Sequence, residues 1–297
     1  MLIFLFRKTD LKGLFEIVRH SQGSRMLSAF LLFVFLNVLV LLRWHVLLKG
    51  QAIKVSFPRL SLSYLSSLFF NLVLPSTIGG DTVRTLDISS HTRKHSSAIL
   101  ATVILDRLFG FFGLMTVLLL ALIFGFGVLG DNSILIVAAL LLGLVFFLGG
   151  IMFSGRFFNS LFRYLPFKKL KDYLYKIHEA SAGYKGKKGV LFEAWFLSLI
   201  IQGGLSVVYY LVAEAIGVHL DLVYFLIFVP VITAFSVIPI SIGGLGVRDT
   251  ASVIIFGKVG LAAAKAFALS LVNFGFMFIL GVCGGISYVL TLRHRRV

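Results

Sequence analysis

Polar residues are scarce along this chain, and they divide it into long apolar runs joined by short basic links. Residues 108–129 form an uncharged run of 22, residues 134–153 one of 20 and residues 266–292 one of 27. At about 1.5 Å of rise per helical residue, each is long enough to cross a hydrocarbon core of about 30 Å. Further spans are expected over residues 26–42, ending at Arg43-Trp44, and over residues 190–213. Residues 60–74 are also apolar but number only 15 before Pro75. That is too short to cross, and helix is expected to resume near Thr82, so the segment reads as a hairpin that enters and leaves by one face. A second broken element is expected from about Leu222 to Phe256.

The two breaks are copies of one another. P-S-T-I-G-G-D-T-V-R at residues 75–84 returns 164 positions later as P-I-S-I-G-G-L-G-V-R at residues 239–248, with six positions identical. In each copy a proline ends a half-helix, a glycine pair follows, and an arginine stands one turn further on. The same offset carries the start of the first span onto Val190, and Leu108 onto Val272 inside the last span. One span, residues 134–153, separates the copies, so they enter the membrane in opposite directions. The predicted fold is an all-α polytopic membrane protein with about six full spans plus two re-entrant broken-helix hairpins in an inverted repeat. Residues 1–297 form a single membrane domain: half 1 covers about 26–129, a linking span and basic loop 130–189, and half 2 about 190–292.

Composition supports this reading: 59% of residues are hydrophobic and 13% charged, against roughly 45–50% and about 25% in an average soluble domain. The net charge of +16 raises nucleic acid as a partner. The basic residues, however, lie beside spans and at the carboxyl end, where cytoplasmic retention and anionic lipid account for them, so no nucleic acid is expected. Residues 154–189 carry nine Lys/Arg against Asp172 and Glu179, which places this loop and the C-terminus in the cytoplasm. Aromatic residues interleaved with lysines from Phe157 to Tyr175 read as a helix on the inner leaflet or as a solvated basic loop. Residues 1–25, with five Lys/Arg, would fall outside on this topology; an absent first span or a surface-lying segment would account for it. The single Cys283 excludes a disulfide framework, and His91 and His95 lack the glutamate of an H-E-x-x-H site, so neither metal nor cofactor is expected.

Ionisable groups at membrane depth cost about 2.5–3.5 kcal/mol each on insertion scales, so their clustering at the breaks marks candidate chemistry. Asp81 and Arg84 follow Gly79-Gly80, Arg248 and Asp249 follow Gly243-Gly244 and Gly246, and Asp106-Arg107 opens the next span. The glycines would turn the backbone at positive φ, leaving unpaired N–H groups at half-helix starts that favour anions. A guanidinium in each half would add a fork suited to phosphate. Asn71, one turn before Pro75, would bond freed backbone groups or the ligand. The competing reading is internal pairing: Arg84 with Asp81 or Asp87, Arg248 with Asp249, and Arg107 with Asp106 or an interfacial headgroup.

R-W-H-V-L-L-K-G from Arg43, N-L-V-L-P-S-T-I-G-G-D-T-V-R from Asn71, L-D-R-L-F-G from Leu105 and P-I-S-I-G-G-L-G-V-R-D from Pro239 together resemble the lysylphosphatidylglycerol synthase transmembrane, or flippase-like, family. The resemblance covers residues 26–292 and implies a prokaryotic inner-membrane protein that moves a lipid between leaflets along the broken helices. The cargo would be an aminoacyl-phospholipid or a glycolipid or polyprenyl lipid, and a lipid synthase or glycosyltransferase could be a partner. The soluble aminoacyltransferase domain is absent, so no enzymatic activity and no catalytic residue is expected. The alternatives are a lipid-modifying transferase or accessory subunit, with Asp81 or Asp106 as base, and a non-transporting scaffold for a partner synthase.

Overall fold

The computed structural model describes residues 16, 19–74, 77–92, 96–124, 132–162, 168–236 and 245–294. Among them are eleven helices: α1 (Gly23–Gly50), α2 (Phe57–Val73), α3 (Thr77–Thr92), α4 (Ser96–Phe124), α5 (Asn132–Phe153), α6 (Gly155–Phe162), α7 (Lys168–Ala182), α8 (Lys188–Ala215), α9 (Leu222–Ser236), α10 (Val247–Gly257) and α11 (Ala263–His294). The protein is all-helical, and α1, α4, α8 and α11 are long and apolar enough to cross a membrane. The 22-residue α5 carries no charge at all. At 17 and 16 residues, α2 and α3 are shorter.

Two helix ends differ from expectation for one reason. Arg43 does not end the first span, and Asp106-Arg107 does not open the next. Helix α1 runs on to Gly50 and α4 starts at Ser96, because Arg43 and Asp106 are buried against each other, so neither needs to leave the helix bundle for water. Between Phe157 and Tyr175 the described residues belong to two helices, α6 and α7. Helix resumes at Thr77 rather than Thr82, so Gly79 and Gly80 lie inside α3.

The 164-residue offset relates the helices in order. Added to α1 it gives 187–214 against α8 at 188–215, and added to α2 it gives 221–237 against α9 at 222–236. Helices α3 and α4 map in the same way onto 241–256 and 260–288, against α10 and α11 at 247–257 and 263–294. The packing follows this correspondence: α2 lies on α11 as α9 lies on α4, and α2 meets α3 as α9 meets α10. The broadest contact joins α1 to its counterpart α8.

Helices α1 and α8 run antiparallel. At one end the Gln22 N–H donates to Ala215 O at 2.9 Å, and Arg25 pairs with Glu214 at 2.7 Å. At the other end the Tyr184 hydroxyl donates to Leu47 O, and Lys187 Nζ to Gly50 O, each at 2.5 Å. Burial pushes the Tyr184 hydroxyl pKa up from its ordinary value. Helix α2 approaches α11 closely because glycines face it: a Cβ on Gly284 would lie 2.0 Å from Leu65 O.

Candidate functional site

The first broken element carries a chain of alternating charges. Arg43 on α1 donates from Nε to Asp106 Oδ1 at 2.7 Å and from Nη1 to Ser198 Oγ on α8 at 2.9 Å. Arg84 on α3 reaches Asp106 Oδ2 at 3.4 Å and donates from Nε to Asp81 Oδ1 at 3.0 Å. Asp81 also accepts from Arg107 Nε. Each carboxylate is therefore held by two guanidiniums, and three arginines against two aspartates leave one net positive charge. Arg43, Arg84, Asp81 and Asp106 are all buried. The Trp44 ring lies 4.7 Å from Arg84 Cζ and covers it, with the indole N–H fixed on Thr102 Oγ1 at 3.0 Å.

Internal pairing includes Arg84 with Asp81 and Arg248 with Asp249, as read from sequence, and adds other partners. Arg107 meets Asp81 rather than Asp106, Arg84 adds Asp106 to Asp81, and Asp87 pairs with Arg59. The glycine pair also works differently. Neither Gly79 nor Gly80 is among the glycines at positive φ. Gly80 is needed because α2 presses on it: a Cβ there would lie 2.2 Å from Ser67 O. Its N–H donates to Asn71 Oδ1 at 3.0 Å, so Asn71 does bond a freed backbone group.

The second element is arranged otherwise. Gly243 and Gly244 lie outside the described residues, and Gly246, at φ 87°, caps α10. The Asp249 carboxylate reaches back to the Gly246 N–H at 2.8 Å, so an acid of the chain already occupies the anion-favouring end of α10. Arg248 donates to Ser270 Oγ at 2.8 Å and reaches Asp249 at 3.4 Å. Ser270 donates to Asp249 Oδ1 at 2.6 Å, and Phe274 lies 5.5 Å from Arg248 Cζ.

Asn71 and Arg248 line one cavity of about 250 Å³, together with Tyr209, Thr233, Ser236 and Asn273. The cavity thus draws on α1 and α2 of the first half and on α8 to α11 of the second. Arg107 instead lines a separate apolar cavity of about 280 Å³, walled by Phe158, Ile177 and His178 under α6 and α7. Glu214, between Arg25 and His219, sits at the end of α8, and Glu193 is exposed. Among the described residues no group of His, Cys, Asp and Glu is placed to hold a metal.

Sequence reasoning missed Arg43, Ser270 and Asn273. The repeat offset was a usable signal for one of them, since Asp106 plus 164 is Ser270. Arg43 was read as a span end, and nothing in the sequence marked the lone Asn273 within an apolar run.

No solved structure matches the chain. A "UPF0104 membrane protein" of Pyrococcus horikoshii is 24% identical over 309 aligned residues, covering 95% of this chain and 90% of that protein. The family model described as the lysylphosphatidylglycerol synthase TM region matches residues 1–285. By that match, nearly end to end, the chain belongs to the lysylphosphatidylglycerol synthase transmembrane-region family of integral membrane proteins.

Proposed function

We propose that this protein translocates lipid between membrane leaflets, holding an anionic, phosphate-bearing headgroup at its two opposed broken elements. The observation that carries the reading is the cavity lined by both Asn71, from the first broken element, and Arg248, from the second. A packed, dry junction would have favoured a scaffold; a hollow with a guanidinium on its wall favours a passage for a charged group. At about 250 Å³ it suits a compact headgroup and leaves the acyl chains to the bilayer.

In this reading α1, α4, α5, α8 and α11 cross the membrane, while α2–α3 and α9–α10 are the re-entrant hairpins. The sixth expected crossing has no counterpart among the described residues. The antiparallel setting of α1 and α8 supports the inverted repeat. The positive charge of α7 and of the residues that follow it supports a cytoplasmic side for the Gly50 and Lys188 ends, to which α11 would return with Arg293. Arg248 holds the phosphate, Arg84 sets the geometry of the first break, and no covalent step is required.

Vesicles containing the purified protein and lipid labelled on the headgroup test this directly. Arg84→Ala and Arg248→Ala are each expected to slow translocation at least tenfold. Unchanged transport in both variants rejects the role, and turnover of a lipid acceptor by the purified protein points to the transferase instead.

A further inference from the structure

We infer that the cavity between the two broken elements selects an anionic headgroup bearing hydroxyl groups over one bearing an ammonium group. The inference rests on the translocation reading for the lipid source of the ligand and deepens it by naming the headgroup class. It starts from Asn273, which is 4% exposed and lines the cavity. Its Nδ2 donates to Leu269 O at 2.9 Å, which fixes which end of the amide is spent. The other end, Oδ1, is buried without a hydrogen-bond partner among the described residues. A buried acceptor left in this way carries a desolvation penalty that a ligand donor recovers.

Both an ammonium and a hydroxyl would supply that donor, and the surrounding charge separates them. Among the described residues, the polar wall consists of Asn71, Tyr209, Thr233, Ser236, Asn273 and Arg248, with no carboxylate. Asp249 is 0% exposed and spends Oδ2 on the Gly246 N–H and Oδ1 on Ser270 and Arg248. The Arg248–Asp249 pair is neutral as a whole, but its guanidinium lines the wall while the carboxylate is withdrawn behind it, so an entering ammonium meets the member of its own sign. A hydroxyl adds no charge and can donate to Asn273 Oδ1 while accepting from a neighbour. Arg248 remains for the phosphate. The ligand this wall fits is a polyol or sugar phosphate headgroup.

The test titrates the purified protein in detergent with three probes: short-chain phosphatidylglycerol, its lysyl ester, and water-soluble glycerol phosphate. The glycerol headgroup is expected to bind at least tenfold more tightly than the lysyl ester. Asn273→Leu should weaken it about tenfold. Asn273→Asp keeps the side-chain shape, guarding against misfolding, and should reverse the order of the two lipids. Equal or tighter binding of the lysyl ester to the unaltered protein, or an unchanged preference in Asn273→Asp, overturns the inference. Glycerol phosphate binding as tightly as the lipid overturns the lipid source in favour of a soluble anion. The expected preference without any transport in vesicles would support this site while removing the translocation reading, so the two fail separately.

Discussion

Arg84 and Arg248 occupy equivalent positions of the repeat and sit in opposite surroundings. Around Arg84 are Asp81 and Asp106, shared with Arg43 and Arg107. At the positions equivalent to Asp81 and Asp106, the second half has Leu245 and Ser270. The acid next to Arg248, Asp249, stands where the first half has Thr85 and turns back to cap α10. One half uses its guanidinium to tie α1, α3 and α4 together, while the other leaves its guanidinium facing a hollow. The two copies of one break thus differ by two acids, which leaves one guanidinium locked between helices and the other on the wall of a cavity.

The largest expected effect breaks the lock. Asp106→Ala strands Arg43 and weakens the hold on Arg84, and removing one partner of a buried pair costs about 3–5 kcal/mol. Thermal unfolding in detergent should fall accordingly, and Arg43→Leu with Asp106→Leu should recover most of the loss. An unchanged midpoint in Asp106→Ala would remove the locking role. Next in size, Ser270→Asp rebuilds the first half's chemistry in the second. With a new acid beside Arg248, binding of an anionic headgroup should weaken about tenfold, or about 1.4 kcal/mol, and the unfolding midpoint should fall because the new carboxylate also meets buried Asp249. Unaltered affinity would show that Arg248 does not face the ligand. The smallest effect compares the aromatic covers. Trp44→Leu should destabilise more than Phe274→Leu by about 1 kcal/mol, because Trp44 lies closer to its guanidinium and also bonds Thr102. Equal losses would show that the two covers are alike.

Hydropathy made the long helices legible, since runs of more than 20 uncharged residues have few other uses. The paired glycine and arginine motif marked both breaks and drew attention to Asp81, Arg84, Arg248 and Asp249. Helix ends were less legible, because a charge next to an apolar run looks the same whether it meets water or a partner. Arg43 and Asp106 are 63 residues apart in sequence, so only the folded chain shows that they neutralise each other. The purpose of Gly80 was hidden for a similar reason. Its lack of a side chain serves the backbone of α2 rather than a turn of its own. The importance of Asn273 depends on a single unpaired oxygen, which composition and periodicity do not encode.

Because α2 rests on α11 and α9 on α4, each short hairpin is mounted on the last long helix of the opposite repeat. The antiparallel α1 and α8, stapled at both ends, form a common axle that neither repeat can leave. Any tilt of α11 hauls the first hairpin with it, and any tilt of α4 hauls the second. For the translocation proposed above, such a linkage would be reciprocal, a mouth on one side of the bilayer narrowing as the other widened.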